Sequence, residues 1–211
     1  MTYTASTEIA MSPLSAAEAA QQRHSVRTYT AQPVDDVQLR ALLEATRRAP
    51  SSSNAQPWRF VVVRDQTLKT DLMAAGMNQK QIGAAPVVVA LYADMEDTMA
   101  HLDEIVHPDL PADERAKTLA DLQRRWGAMS VEQRGVWANA QANIALGYLL
   151  LIARSEGLAT SPMLGFEPDR VKALLDIPAH ATITALVAIG HPDGDGFRSH
   201  RHSLDRIATF R

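Results

Sequence analysis

Ala49-Pro50-Ser51-Ser52-Ser53-Asn54-Ala55-Gln56-Pro57-Trp58-Arg59-Phe60-Val61-Val62-Val63 carries the chain from a helix into a strand. Its prolines frame side chains that compete for backbone hydrogen bonds, so the preceding helix cannot continue and Pro50 to Pro57 is a loop. Arg59 to Val63, short and β-branched, reads as a strand. Upstream, Pro33 and Asp35/Asp36 open a helix over about Val34–Arg48 and Arg47/Arg48 close it, charges that suit the helix dipole. Downstream, a helix from Asp65 to about Met77 separates that strand from a second apolar strand, Val87 to Tyr92.

Further out, Met95 to Met129 is charged and amphipathic and breaks at His107-Pro108-Asp109-Leu110-Pro111, which predicts two helices forming a lid or an excursion rather than the sheet core. Ser130-Val131-Glu132-Gln133 has the pattern of a capping box. The helix it opens extends to Glu156 with Gly157 at its C-terminal cap, about 39 Å at 1.5 Å per residue, long enough to traverse the domain. Thr160 to Glu167 reads as a second loop, Pro168 to Leu175 as a short helix and Thr182 to Gly190 as a buried strand. Near the start, Pro13 to Gln22 reads as a helix with Ser12 as its N-cap. No repeat or linker divides the 211 residues, so one domain is expected over 1–211, with the helical excursion at about 95–129. Few strands among long helices give an α+β or mixed α/β class with one sheet, and Phe60-Val61-Val62-Val63 with Val87-Val88-Val89 weighs against an all-helical fold.

Composition removes several chemistries. The 21 Lys+Arg against 24 Asp+Glu leave a formal charge of -3, so no global attraction to nucleic acid or an anionic membrane is expected and any anion site must be local. With no Cys, there can be no disulfide, Cys-ligated zinc, iron–sulfur cluster or thiol nucleophile. Met1 to Ser15 contains Glu8 and lacks the basic and apolar blocks of a secretory signal, which makes a cytoplasmic location the expectation. The longest near-apolar run, Ala142 to Ala153, falls short of the roughly 20 residues a membrane span needs and reads as a buried helix.

Arg23, Ser25 and Arg27 alternate, so in an extended segment two guanidinium forks and a hydroxyl point one way, a set suited to a phosphate or planar anion; a solvated basic turn is the competing reading. The 51–58 loop offers hydroxyls and amides to a polar heterocycle or its ribityl chain, or is merely a connection. In Pro162-Met163-Leu164-Gly165-Phe166 the glycine lets a backbone N–H approach a ligand closely, although ordinary turn chemistry accounts for it equally well. His200 with His202, or His101 with His107, lacks a completing ligand, so no metal site is expected. Gly194-Asp195-Gly196 is isolated, and no Rossmann fingerprint, Walker lysine loop or G-x-S-x-G occurs.

Taken together, these segments resemble the nitroreductase family of FMN-dependent oxidoreductases. The resemblance rests on Arg23-His24-Ser25-Val26-Arg27, on Ala49 to Val62 with its serine–asparagine–glutamine–proline–tryptophan stretch, on Ala85-Pro86-Val87-Val88-Val89, on Gly157-Leu158 followed by Pro162 to Phe166, and on Arg201 with Leu204-Asp205. It implies an α+β fold with a central, mostly antiparallel sheet surrounded by helices, and an intertwined homodimer whose interface contains the long helix. FMN would lie between subunits, neither of which holds a complete site.

By the same resemblance, Arg23, Ser25 and Arg201 take the FMN phosphate side with His24 in the same segment, and Arg27 lies near the pyrimidine edge, where a cation stabilises the anionic reduced flavin. Ser51, Ser52 and Asn54 reach the flavin from the partner chain. Pro162, Met163, Leu164 and Gly165 lie along it, with the Gly165 N–H facing flavin N5. Asn78 and Gln81 match edge contacts, with Lys80 there instead under a one-residue shift. Leu164 stands where well-studied bacterial members carry a glutamate, and Ser199 where some have a second tail cation, with Arg198 adjacent.

The implied reaction is ping-pong: NADH or NADPH reduces FMN and leaves, then a nitroaromatic, quinone or other electron-poor acceptor enters. Flavin N5 carries the chemistry, so no catalytic side chain is required. Trp126, Met129 and Phe166 are candidates for contact with an aromatic acceptor, with core or interface packing as the simpler role. Alternatives are a same-fold flavin enzyme of other chemistry (enal or semialdehyde reductase, reductive dehalogenase), a flavin-binding protein without turnover, and a non-flavin scaffold.

Overall fold

The computed structural model describes residues 14–211. Helix α1 (Ala16–Gln22) starts from a capping box in which Ser15 and Glu18 satisfy each other's backbone N–H, so the N-cap is Ser15 and not Ser12, which lies outside the described residues. Helix α2 (Asp36–Thr46) is capped by Asp35, whose carboxylate accepts from Gln38 N–H. The Ser51–Pro57 loop leads into β1 (Trp58–Val63); α3 (Gln66–Ala75) and the short α4 (Lys80–Ala84) then lead to β2 (Val87–Ala93). After α5 (Met95–Ala100), α6 (Leu102–Ile105) and α7 (Ala112–Gly127) comes the long helix α8 (Val131–Ser155). β3 (Ala159–Met163), α9 (Pro168–Leu175), β4 (Thr182–Gly190) and α10 (Leu204–Ile207) complete the described order.

All pairings in the four-stranded sheet are antiparallel, and its order is β1-β2-β4-β3. Val87 to Leu91 are completely buried, which requires cover on both faces. Val88, Ala90, Leu186 and Ala188 pack with Leu72, Ile82 and Val171 from α3, α4 and α9. The alternate residues Val87, Val89, Ala185 and Val187 pack with Leu42 from α2 and with Leu149 and Ala153 from α8. The domain therefore has helices on both faces of one central sheet.

Two expectations change. Thr160 to Met163 is strand rather than loop: Ala159 to Met163 pairs with Leu186 to Gly190 of β4, and Pro162 is tolerated because β3 is at the edge of the sheet. The 95–129 segment, expected apart from the sheet core, buries Met95, Leu102, Val106, Leu122 and Trp126 in a cluster with Trp58, Leu91 and Ala93. Its amphipathicity has that cause.

Helix α8 forms as its sequence predicts, with Ser130 and Gln133 making the reciprocal capping box and Gly157 at φ 81° just beyond its end. At 25 residues it is long and apolar enough by composition to cross a membrane, although its longest uninterrupted apolar run is shorter. In the fold, Gly135, Ala138, Ala142, Ala145, Leu149 and Ala153 recur every three or four residues as one buried stripe against the domain. The opposite stripe, which includes Val136, Ala140, Ile144, Gly147 and Tyr148, is exposed.

Candidate functional site

A cationic corner forms where the start and the tail of the chain meet. Arg23 is the C-cap of α1 in an extended conformation, and the segment after it runs beside the β3 edge: Ser25 bridges Thr160 in parallel, and Val26 N–H donates to Thr160 O at 3.1 Å. Val26 is buried while Arg27 is exposed, the alternation that directs Ser25 and Arg27 away from the core. Returning from β4, the chain pairs with this segment again. Asp193 N–H donates to Thr28 O at 3.1 Å and Thr28 Oγ1 donates to Asp193 O at 2.6 Å.

The tail is thereby carried back to Arg23. Burial, and then the charge of nearby Arg201, lower the Arg23 pKa below its ordinary value. Two guanidiniums brought into repulsion are relieved by an anion between them. Arg154, at the end of α8, donates to Gln22 Oε1 at 2.7 Å while its buried Nε has no partner among the described residues. Beside it a cavity of about 440 Å³ is lined by Gln22, His24, Arg154, Asp195, Arg198 and Ser199, among others. Arg154 and Arg198, which line it, suit a phosphate monoester, whereas Arg23, Ser25 and Arg201 are not among its lining residues. His24 has a joining role here, its ring nitrogens lying against the backbone oxygens of Gln22 (2.8 Å) and Asp195.

The turn after β3 forms a second part. Leu164 is 73% exposed, whereas the Met163 side chain is buried in the core, so position 163 can offer a ligand only its backbone. A Cβ on Gly165 would sit 3.2 Å from Met77 Sδ, so the absent side chain also serves the packing of the α3–α4 turn. Gln79, which the sequence did not single out, donates through Nε2 to Gly165 O at 2.8 Å and to Gly76 O at 3.0 Å. Buried Gln81 donates to Gln79 Oε1 at 3.4 Å, while Asn78 and Lys80 are exposed. Gln79 thus fixes the Gly165 peptide, and only the three-dimensional closeness of residues 79 and 165 reveals it.

The Ser51–Asn54 loop lies elsewhere. Ser53, Asn54 and Gln56 adopt positive φ of 55°, 54° and 44°, conformations held by local bonds. Ser51 Oγ accepts from Gln56 N–H at 3.0 Å, Gln141 Oε1 from Ser52 N–H at 2.9 Å, and Ile105 O from Asn54 Nδ2 at 3.1 Å. This loop precedes β1, at the opposite edge of the sheet from β3. Among the described residues no hydrogen bond joins it to Arg23, Ser25, Gly165 or Arg201, so within one chain the two groups of residues stay apart. Trp126 is 2% exposed and its ring centroid is 5.5 Å from that of Trp137, a core position. Among the described residues no group of three His, Cys, Asp or Glu could hold a metal ion.

The nitroreductase family model matches residues 20–191. A curated relative called NADH dehydrogenase, from Thermus thermophilus, is 48% identical across 97% of this chain and 100% of its own length. A candidate NAD(P)H nitroreductase from Streptococcus pyogenes is 30% identical across 90% of this chain and 96% of its own. A solved structure described as a candidate nitroreductase in complex with FMN, from Exiguobacterium sibiricum, superposes with a TM-score of 0.87 over 96% of this chain and 100% of its own, at 24% identity, and so shares the fold. The match to residues 20–191 and the 48% identity over nearly the whole chain settle the assignment that the fold agrees with: the chain belongs to the nitroreductase family.

Proposed function

We propose that the chain is an FMN-dependent oxidoreductase that takes a hydride from NADH or NADPH and delivers it to a nitroaromatic, quinone or similar electron-poor acceptor, working as a homodimer. This reading is carried by the family match over residues 20–191 together with the cations gathered where the tail returns to the early segment, Arg154 and Arg198 in one cavity and Arg23 near Arg201. The relative named NADH dehydrogenase supports the choice of donor.

Arg23, Ser25 and Arg201 hold the FMN phosphate, with His24 fastening the tail beside them, and Arg27 lies at the pyrimidine edge. Pro162, Met163 and Leu164 border the ring, Asn78 and Gln81 lie at its edge, and the Gly165 N–H, its peptide held by Gln79, faces N5. Ser51, Ser52 and Asn54 come from the second copy, which accounts for one chain carrying two separated surfaces. The chemistry supplied by bound FMN is acceptance of a hydride at N5 and its return to an acceptor, in ping-pong order. Per turnover one NAD(P)H and one proton are consumed, so a quinone leaves as the hydroquinone.

Dimerisation is supported by the outer stripe of α8 and by the tail, where Phe197, Leu204, Ile207 and Phe210 are 96%, 60%, 70% and 82% exposed. Apolar groups so far from any core are expected to be covered by another surface. The test is the visible spectrum of the purified protein before and after each reduced nicotinamide, without oxygen. A flavin spectrum that bleaches is expected. Protein that stays colourless after added FMN, or flavin that neither nucleotide reduces, overturns the proposal.

A further inference from the structure

A concavity of about 560 Å³ lies between α6, the His107–Pro111 turn and α7, a volume typical of small-molecule sites. Its apolar lining is Ile105, Val106, Leu110 and Leu122, and its polar lining includes His107, Asp121, Arg124 and Arg125. The charges are not equivalent. Arg124 pairs with Asp121 at 2.9 Å, whereas Arg125 makes no ion pair among the described residues. Arg125 instead donates to Ser53 Oγ at 2.6 Å, with its guanidinium 5.2 Å from the Trp126 ring centroid. The neighbouring cavity of about 430 Å³, lined by Ala55, Gln56 and Trp58 among others, differs because its guanidinium, Arg59, is neutralised by Asp97.

Ser53 joins the apolar pocket directly to the loop given above to the flavin, and Asn54 binds Ile105 O at 3.1 Å in the same wall. A ligand seated there meets that apolar lining and, in Arg125, a cation with no ion pair among the described residues. We infer that this pocket receives the electron acceptor and selects an aromatic carboxylate, its ring on Leu110 and Leu122 and its carboxylate against Arg125. The inference rests on the flavin reading above. It adds a substrate class, acceptors carrying a negative charge, and a residue that distinguishes them from neutral ones. An Arg–carboxylate pair is directional and charge-assisted, so its gain is denied to an uncharged analogue of the same shape.

The test compares 4-nitrobenzoate with its methyl ester as acceptors for the FMN-loaded enzyme. The ratio of their KM values is the readout, so that any general loss of activity cancels. Arg125→Gln is expected to shift the ratio about tenfold against the carboxylate, Arg125→Lys to recover part of the shift, and Ser53→Ala, which removes the hydrogen bond and keeps the charge, to preserve the wild-type ratio. Leu110→Trp, which fills the cavity, is expected to raise both KM values. An unchanged ratio in Arg125→Gln, or unchanged KM values in Leu110→Trp, overturns the inference. Protein without reducible flavin overturns the function proposed above instead. Even there the pocket can be read, by quenching of tryptophan fluorescence with 4-nitrobenzoate and its weakening in Arg125→Gln; failure to quench overturns the pocket on its own.

Discussion

Burial, and after it the charge of Arg201 in the tail, lowers the pKa of Arg23 at the end of the first helix. Nothing in the local sequence of either residue specifies that meeting. It is produced by β4 and by the Thr28–Asp193 bonds that carry the tail back along the early segment.

Removing either guanidinium leaves a phosphate with one fewer charge-assisted partner. Arg23→Ala and Arg201→Ala are each expected to weaken FMN binding by about tenfold or more, measured by recovery of flavin fluorescence on dilution. Riboflavin, which lacks the phosphate, is expected to lose much less. Equal losses for the two flavins would remove these arginines from the phosphate site.

At Gly165 close packing on Met77 coincides with the proposed approach of its N–H to the flavin. Gly165→Val is expected to slow flavin reduction by NAD(P)H at least tenfold in stopped flow while shifting the thermal midpoint by only a few degrees, since the turn lies at the surface. Normal reduction kinetics in that variant would place the flavin elsewhere.

The outer stripe of α8 gives a test of assembly. Ile144→Arg puts a charge on a position already 39% exposed, so the fold of a single chain tolerates it, whereas an apolar interface does not. Sedimentation is expected to show a dimer for the parent and a monomer for the variant, with FMN lost in parallel. A variant that stays dimeric would move the interface off this stripe.

Lys69 is buried, donates to Ala85 O at 2.6 Å, and has its pKa lowered by burial, with Asp65 opposing. Its folded pKa lies below the unfolded 10.5, so between those values the unfolded chain binds more protons and stability from this group rises with pH. Below the folded pKa the amine is charged in both states and the slope vanishes. Lys69→Met is expected to reduce the positive slope of urea-unfolding free energy just below pH 10.5. The same slope in both proteins would mean that the amine is hydrated in the fold.

Most of the frame was legible because its signals are local. The capping box at Ser130 and Gln133, the glycine at 157 and the β-branched runs in β1, β2 and β4 each specify backbone conformation by themselves. β3 was not legible. Ala-Thr-Ser-Pro-Met has the composition of a loop, and becomes a strand only because β4 and Ser25 provide partners on its two sides. The five-residue α4 is too short for a periodic pattern to reveal, and Pro13 drew the first N-cap upstream when the Ser15–Glu18 box sets it.

In the candidate site, residue types were legible and their grouping was not. The alternation of Arg23, Ser25 and Arg27 follows from extended backbone, but the tie from Gln79 to Gly165 and the approach of Arg201 depend on distant segments. Met163 is a further case: neither its place in β3 nor its side chain's burial in the core was readable.

Helix α8 is apolar on the side that the domain covers and on much of the side that it leaves bare. In the homodimer proposed above that bare side would be covered, whereas a lone copy leaves it facing water. Under that proposal dilution raises the share of lone copies, so the thermal midpoint should fall as the protein concentration falls.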